Sequence, residues 1–211
     1  MTGASTILAL TGASGAVYGL RLAEALLMAG QEVEVLLSTA ARTVLARECG
    51  LNVQGDGEEV RAAFLKWMGN SAAGIEYRRF RHHGLMDWSS PLASGSAGGR
   101  RMVICPCSMG TLAAVAMGLS DNLIERAADV VIKERGQLIL VTRETPLSAI
   151  HLENMLRLAR LGVILLPASP GFYHRPQAIG DLVDFVVARV MDQLGVAHGL
   201  ISPWGGDMGG R

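Results

Sequence analysis

Residues 11–19 read TGASGAVYG and stand between an apolar run, 7–10, and a helix-forming stretch, 20–29. A strand that breaks into a Gly/Ser turn and re-enters a helix is a device for holding phosphate. Glycine lets the backbone approach an anion closely, and the first helical turn offers free N–H groups at a positive dipole end. The spacing is neither G-x-G-x-x-G nor G-x-x-x-x-G-K-[ST], so neither a dinucleotide fold nor an NTPase loop is directly indicated. A ligand-free turn would have the same composition, so the turn alone does not decide. The residues that follow the other apolar runs add to it. Ser38 follows 32–37, with Glu48 further along; Ser108, Met109, Gly110 and Thr111 follow 101–105; Arg143 and Glu144 follow 137–142. After 163–166 comes Pro170-Gly171-Phe172-Tyr173-His174-Arg175. Plain turns need small residues, but not Arg-Glu or Tyr-His-Arg, so the pattern favours an anionic ligand at the strand ends. Asn122, Arg126 and Lys133, at i, i+4 and i+11, share one helix face. Taken alone, that face reads as solvated, with Arg126 and Lys133 paired to Asp129 or Glu125.

The elements that must position these groups alternate along the chain. Strands are expected at 6–10, 32–37, 77–80, 101–105, 137–142 and 163–166. Helices are expected at 15–29, 40–49, 58–68, 108–117, 122–134 with Asp121 as cap, 148–161 and 181–194. Residues 89–99, SSPLASGSAGG, read as an uncharged, flexible loop, and a Gly-rich tail carrying Trp204 begins near 202. Such alternation implies an α/β fold: a doubly wound, mostly parallel sheet with helices on both faces. With no internal repeat or linker, 1–211 reads as a single domain.

Composition narrows the function further. Half of the 211 residues are hydrophobic and 18% are charged, which suggests surface buried between subunits. No apolar run is long enough to span a bilayer, and the N-terminus carries no export signal. Lys plus Arg equals Asp plus Glu at 19 each, so nucleic acid is not an expected partner. Cys105 and Cys107 flank a single proline, the wrong spacing for zinc or a redox pair, and with Cys49 they read as reduced thiols in a cytoplasm. The five histidines have no ligand spacing; His82, His83, His151 and His198 are expected in surface or helix-facing roles.

The strings TGASGAVYGLRL, PCSMGTLAAVA, NLIERAADVVIKERGQLILVTRETPLS and PASPGFYHRPQ resemble the flavin prenyltransferases of the UbiX type, a likeness that runs from Ile7 to Trp204. The resemblance implies a flavodoxin-like, Rossmann-like fold and a homododecamer. It implies transfer of the dimethylallyl group of dimethylallyl monophosphate to N5 and C6 of reduced FMN, without a metal. The product, prenylated FMN, would serve a UbiD-type decarboxylase of ubiquinone or aromatic-acid metabolism. It also implies a site. Gly12, Ala13 and Ser14 would line the FMN, with Ser38, the turn Ser108 to Thr111 (Met109 and Gly110 included) and Arg143. Arg126, Lys133, Glu144, Tyr173 and Arg189 would hold the donor phosphate, and Trp88 and Trp204 would wall the prenyl pocket. Ser14 would lie near the reactive edge of the flavin, and Glu48 would handle protons.

The chemistry is consistent with those residue types. A leaving phosphate gathers negative charge that Lys and Arg donors stabilise, while Trp and Tyr faces tolerate a cation-like allyl fragment. Glu48, Glu144 or the departing phosphate could take the ring proton. Blander roles stand beside these: Glu48 as a solvated partner of Arg47, Arg189 paired with Asp192, Tyr173 and Arg175 as braces of a Pro-rich loop. Two rival functions share the fold. An FMN-dependent cysteine-type decarboxylase would draw a catalytic His from His82 or His83, and a non-catalytic flavin carrier would need no second phosphate pocket.

Overall fold

The computed structural model describes residues 5–97 and 100–201. Its strands are β1 (Ser5–Leu10), β2 (Glu32–Leu37), β3 (Phe80–His83), β4 (Arg101–Cys107), β5 (Gln137–Thr142) and β6 (Ile164–Leu165). They form one sheet in the order β3-β2-β1-β4-β5-β6, every adjacent pair parallel. The central strands read as unbroken apolar runs because both of their faces are covered. In β1, Leu8 and Leu10 enter one core while Ile7 and Ala9 enter the other, the period-2 alternation of a strand.

Seven helices cover the sheet: α1 (Ala16–Met28), α2 (Thr39–Cys49), α3 (Glu58–Met68), α4 (Met109–Met117), α5 (Leu123–Lys133), α6 (Ala149–Arg160) and α7 (Ile179–Leu194). α1, α3 and α7 pack in the core of one face, and α4, α5 and Leu158 of α6 in that of the other. Arg21 of α1 grips Asp184 of α7 with two bonds, at 2.6 and 3.2 Å, and Glu24 at 2.7 Å, fixing the helix that begins at the glycine turn. No helix among the described residues is long and apolar enough to cross a membrane.

Several boundaries differ from the sequence expectations. α5 is capped by Asn122, not Asp121: the Asn122 side chain accepts from the N–H groups of Ile124 and Glu125 at 3.0 and 3.2 Å. Asp121 instead donates its own N–H to Glu125. Residues Tyr77–Arg79 are a 3-10 turn, and the strand begins where they end. Its sequence FRHH has no apolar alternation, so pairing with the edge of β2 makes it a strand. The 89–99 segment contains two 3-10 turns, Pro91–Ala93 and Gly95–Ala97, and buries Leu92. α7 starts two residues earlier than expected, at Ile179, with the Asp181 carboxylate accepting from Gln177 and Ala178 N–H. Residues 202–211, Trp204 included, lie outside the described residues.

Candidate active site

Strand order reverses between β1 and β4, and a doubly wound sheet binds its ligand in the crevice at that point. Two turns meet there. Buried Thr11, at the end of β1, donates its hydroxyl to the Pro106 carbonyl and accepts the Ser108 N–H, both at 2.8 Å. The Gly12–Gly15 turn and the start of α4 are thereby held side by side. Gly12 allows the approach: a Cβ on it would stand 2.5 Å from the Ala40 Cβ in the first turn of α2. Replacing Gly12 by Ala is therefore expected to push the turn off α2. By analogy with overpacked cores the cost is about 1–3 kcal/mol, read as a lower midpoint in thermal unfolding.

Each helix N-terminus at this edge carries its own acceptor. Ser38 caps α2 by accepting the Ala41 N–H at 3.0 Å. Ser108 caps α4 by accepting the Thr111 N–H at 3.3 Å and donates its hydroxyl to the Thr111 oxygen at 3.1 Å. α1 differs. Gly15, at φ 102°, cannot cap with a side chain, and the N–H groups of Gly15 and Ala16 donate to one oxygen of Glu48 from α2, at 2.8 and 3.0 Å. Glu48, although exposed, is thus held by the turn and not by Arg47. Burial by itself would raise its pKa, but hydrogen bonds from Ser14, Gly15 and Ala16 and the nearby Arg143 hold it below the usual carboxylate range. Arg143 donates Nε to the Ser14 carbonyl at 3.1 Å, bringing the end of β5 to the turn.

The donor types fit a phosphate-bearing planar ligand. No atom lies within 4 Å of where a Gly110 side chain would begin, so a ligand can rest against that backbone. A cleft of about 420 Å³, lined by Leu37, Thr39, Arg42, Asp56, Gly84 and Met86 among others, opens beside the ends of β2 and β3. Ala13 and Met109 are buried, which leaves their backbones as the groups within a ligand's reach.

The other expected site residues fall into separate groups. Glu144 is exposed and accepts the Thr145 N–H at 3.1 Å. Tyr173 is half exposed and meets Phe185 of α7 edge-on, ring centres 5.7 Å apart. Arg189 pairs with Asp192 at 2.6 Å, the bland pairing weighed from the sequence, and lines a cleft of about 270 Å³ beside β6. Arg126 donates to the Ala93 carbonyl at 3.0 Å and to Asp129 at 2.6 Å. Lys133 pairs with Glu134 rather than with Asp129 or Glu125. Trp88 is 48% exposed.

Lys133 and Arg189 lie on opposite faces of the sheet, because α5 and α7 belong to opposite cores. Lys133 also sits in the last turn of α5, four residues before β5 begins and so at the far edge from Ser14. A single chain does not bring these cations together. The segment around Gly95 was missed from the sequence. A Cβ there would stand 2.8 Å from the Lys133 Nζ, and the signal was its uncharged Ser/Gly composition beside Trp88.

The histidines and cysteines stand apart from the turn. The His82 side chain is fully buried in the helix-facing role: its ring accepts the N–H of Gly57, the N-cap of α3, at 3.0 Å, and burial lowers its pKa to about 4. His83 pairs with Glu34, and His151 completes the capping box of α6 with Ser148. Cys105 and Cys107 are fully buried, which raises both thiol pKa values, that of Cys107 to about 12. Among the described residues no group of three or more His, Cys, Asp or Glu is arranged to hold a metal ion.

Comparison with known proteins supplies the family. The Flavoprotein family model matches residues 1–191. The flavin prenyltransferase UbiX of Pseudomonas aeruginosa is 52% identical over 198 residues, covering 94% of this chain and 92% of that one. A solved structure of AnUbiX (PadA1) with FMN and dimethylallyl pyrophosphate superposes with a TM-score of 0.80 at 34% identity, covering 97% of this chain and 98% of its own. A dodecameric FMN-dependent UbiX-like decarboxylase from Escherichia coli O157:H7 gives 0.79 at 38% identity, covering 96% and 100%. On these matches the chain belongs to the flavoprotein family and, within it, to the UbiX flavin prenyltransferases.

Proposed function

We propose that the protein transfers the dimethylallyl group of dimethylallyl monophosphate to N5 and C6 of reduced FMN, releasing phosphate. What supports this reading is the 52% identity to a flavin prenyltransferase over nearly the whole chain, together with two separate groups of residues whose types suit anions, the switch-point turn and the Arg126–Lys133 face of α5. A non-catalytic flavin carrier has use for one. FMN supplies the nucleophile, N5 of its reduced ring. The backbone of Gly12, Ala13 and Ser14, the Ser38 and Ser108 caps with Met109, Gly110 and Thr111, and Arg143 hold it. Arg126, Lys133 and Arg189, with Tyr173 and Glu144, hold the donor phosphate and stabilise the charge that gathers as the allylic C–O bond breaks. Trp88 and Trp204 present aromatic faces to the allyl group, where a carboxylate would trap it. Ser14 and Glu48 lie beside the flavin, with Glu48, Glu144 or the released phosphate accepting the C6 proton.

The test is anaerobic. Purified protein is incubated with reduced FMN and the donor, and the released flavin is weighed. A gain of one five-carbon unit is expected. Unchanged FMN with both the monophosphate and the pyrophosphate would overturn the reading. Added to an apo UbiD-type decarboxylase, the product is expected to restore decarboxylation where FMN does not.

Because one chain leaves Lys133 and Arg189 on opposite faces, the reading requires a homo-oligomer in which neighbours complete the donor site. The dodecamer is the assembly proposed. α6 presents a surface suited to one of its contacts. Leu158 is its single fully buried side chain, while Leu152 and Leu156 are 52% exposed and Leu161, just beyond, is 59% exposed. An antiparallel copy related by a two-fold axis near Leu156 and Arg157 would set Glu153 against Arg160 and Leu152 against Leu161. Leu156→Glu is expected to lower the mass measured by light scattering without lowering the helix content seen by circular dichroism.

A further inference from the structure

We propose that His83 is a positioning residue for the donor phosphate, acting through Ser90 on the segment that carries Ala93 and Gly95. The inference rests on the reading that Arg126 and Lys133 hold that phosphate. Its observation is a chain of polar contacts that the reaction itself does not use. The His83 Nε2 lies 2.5 Å from Glu34 Oε2, both side chains 13% exposed. Ser5 donates to the other Glu34 oxygen at 3.2 Å, and Arg81 stands 4.0 Å from it. The opposite ring nitrogen, Nδ1, is 2.9 Å from the Ser90 hydroxyl. Ser90 is 5% exposed, and its Oγ accepts the Leu92 N–H at 3.2 Å, capping the 3-10 turn Pro91–Ala93. The last residue of that turn, Ala93, presents its carbonyl to Arg126 Nε at 3.0 Å. Two residues on, Gly95 lies close against Lys133.

One continuous path therefore runs from the ion pair at the β2/β3 edge, through a buried serine, to both cations of α5. A 3-10 turn is short and its hydrogen bonds are poorly aligned, so its placement depends on its cap. Nine neighbouring residues, 89–97, carry no charge. Without the His83–Ser90 bond, the turn would be held by its own short-range backbone bonds and the burial of Leu92, with nothing tying Ser90 to the sheet edge. Leu92 fixes the depth of the turn but not the direction of the Ala93 carbonyl. Arg126 would then lose one of the two acceptors that orient its guanidinium, keeping Asp129.

The proposal predicts a defect confined to the donor. In Ser90→Ala and His83→Ala, the Kd of dimethylallyl monophosphate, measured by calorimetry on protein loaded with unreactive oxidised FMN, should rise on the order of ten-fold, the loss of one buried polar link. KM for the donor should rise in parallel while kcat and the Kd of FMN stay near the parent values. Amide exchange should quicken at residues 92–96 and stay unchanged in α5. Lys133→Ala serves as the control. If it weakens the donor while both Ser90→Ala and His83→Ala leave donor affinity unchanged, the positioning role is overturned. A parallel loss of FMN affinity in those variants also overturns it, since that marks general damage to the fold. If Lys133→Ala leaves donor affinity unchanged, the reading beneath the proposal fails first.

Discussion

Lys133→Ala should slow prenyl transfer by about 10²–10³-fold, the usual cost of removing one donor aimed at developing charge. FMN affinity should stay within about two-fold, because Lys133 lies at the opposite edge of the sheet from the Gly12–Gly15 turn. Its ion pair with Glu134 is 45% exposed on the lysine side, and surface pairs contribute about 0–1 kcal/mol. Thermal unfolding should therefore hardly move, which separates a chemical defect from a folding one. Arg126→Ala should reproduce the defect, and the double variant should lose less than the product of the two, since both donors serve one phosphate. Single-turnover rates of flavin prenylation under anaerobic conditions measure all three.

The opposed placement of α5 and α7 makes a sharper form of the same experiment. Lys133→Ala and Arg189→Ala are each expected to keep about 1% of parent activity or less. Co-expressed with different tags and purified as mixed assemblies, they should recover roughly a quarter of parent activity if each site takes Lys133 from one chain and Arg189 from another, because random mixing leaves that share of sites intact. A site built within one chain would recover none. That result would remove the need for an oligomer from the proposed mechanism.

The sheet was legible because its strands are buried on both faces and so read as apolar runs, and because Gly and Ser punctuate their carboxyl ends. β3 was not, since FRHH owes its conformation to the edge of β2. The switch-point cluster was legible for a related reason: ligand-facing turns stand at strand ends, so sequence position reports spatial position. That logic stops at the helices. Arg126 and Lys133 were recognisable as one face of α5, but which side of the sheet α5 covers is a tertiary fact. Nothing local in the sequence set them apart from Arg189. The partners of Glu48 were hidden for a different reason. A helical glutamate beside an arginine is ordinarily solvated, and the interaction that captures it, the unfilled N-terminus of α1, lies 32 residues away. Once Gly15 is known to have no capping side chain, the need for an acceptor from elsewhere follows.

That acceptor supports the last prediction. In Glu48→Gln the side-chain oxygen can still accept from Gly15 and Ala16, so the turn should keep its shape. What disappears is negative charge at the positive end of α1, worth about 0.3–1 kcal/mol in ordinary settings. The Glu48 pKa is depressed in the folded chain, so its contribution to stability is complete above the ordinary carboxylate pKa, about 4.3, and fades as pH falls through the folded value. The unfolding midpoints of parent and variant should therefore differ by a constant amount at neutral pH and converge only in acid. Activity divides the roles further. As an anion throughout the neutral range, Glu48 is ready to accept a proton without first losing one. If it takes the C6 proton, Glu48→Gln should slow transfer by about 10²–10⁴-fold and deuterium at C6 should slow it further. Flavin affinity should fall little. If Glu48 only caps α1, the rate should follow the small stability loss and show no isotope effect, and proton removal then passes to Glu144 or the released phosphate.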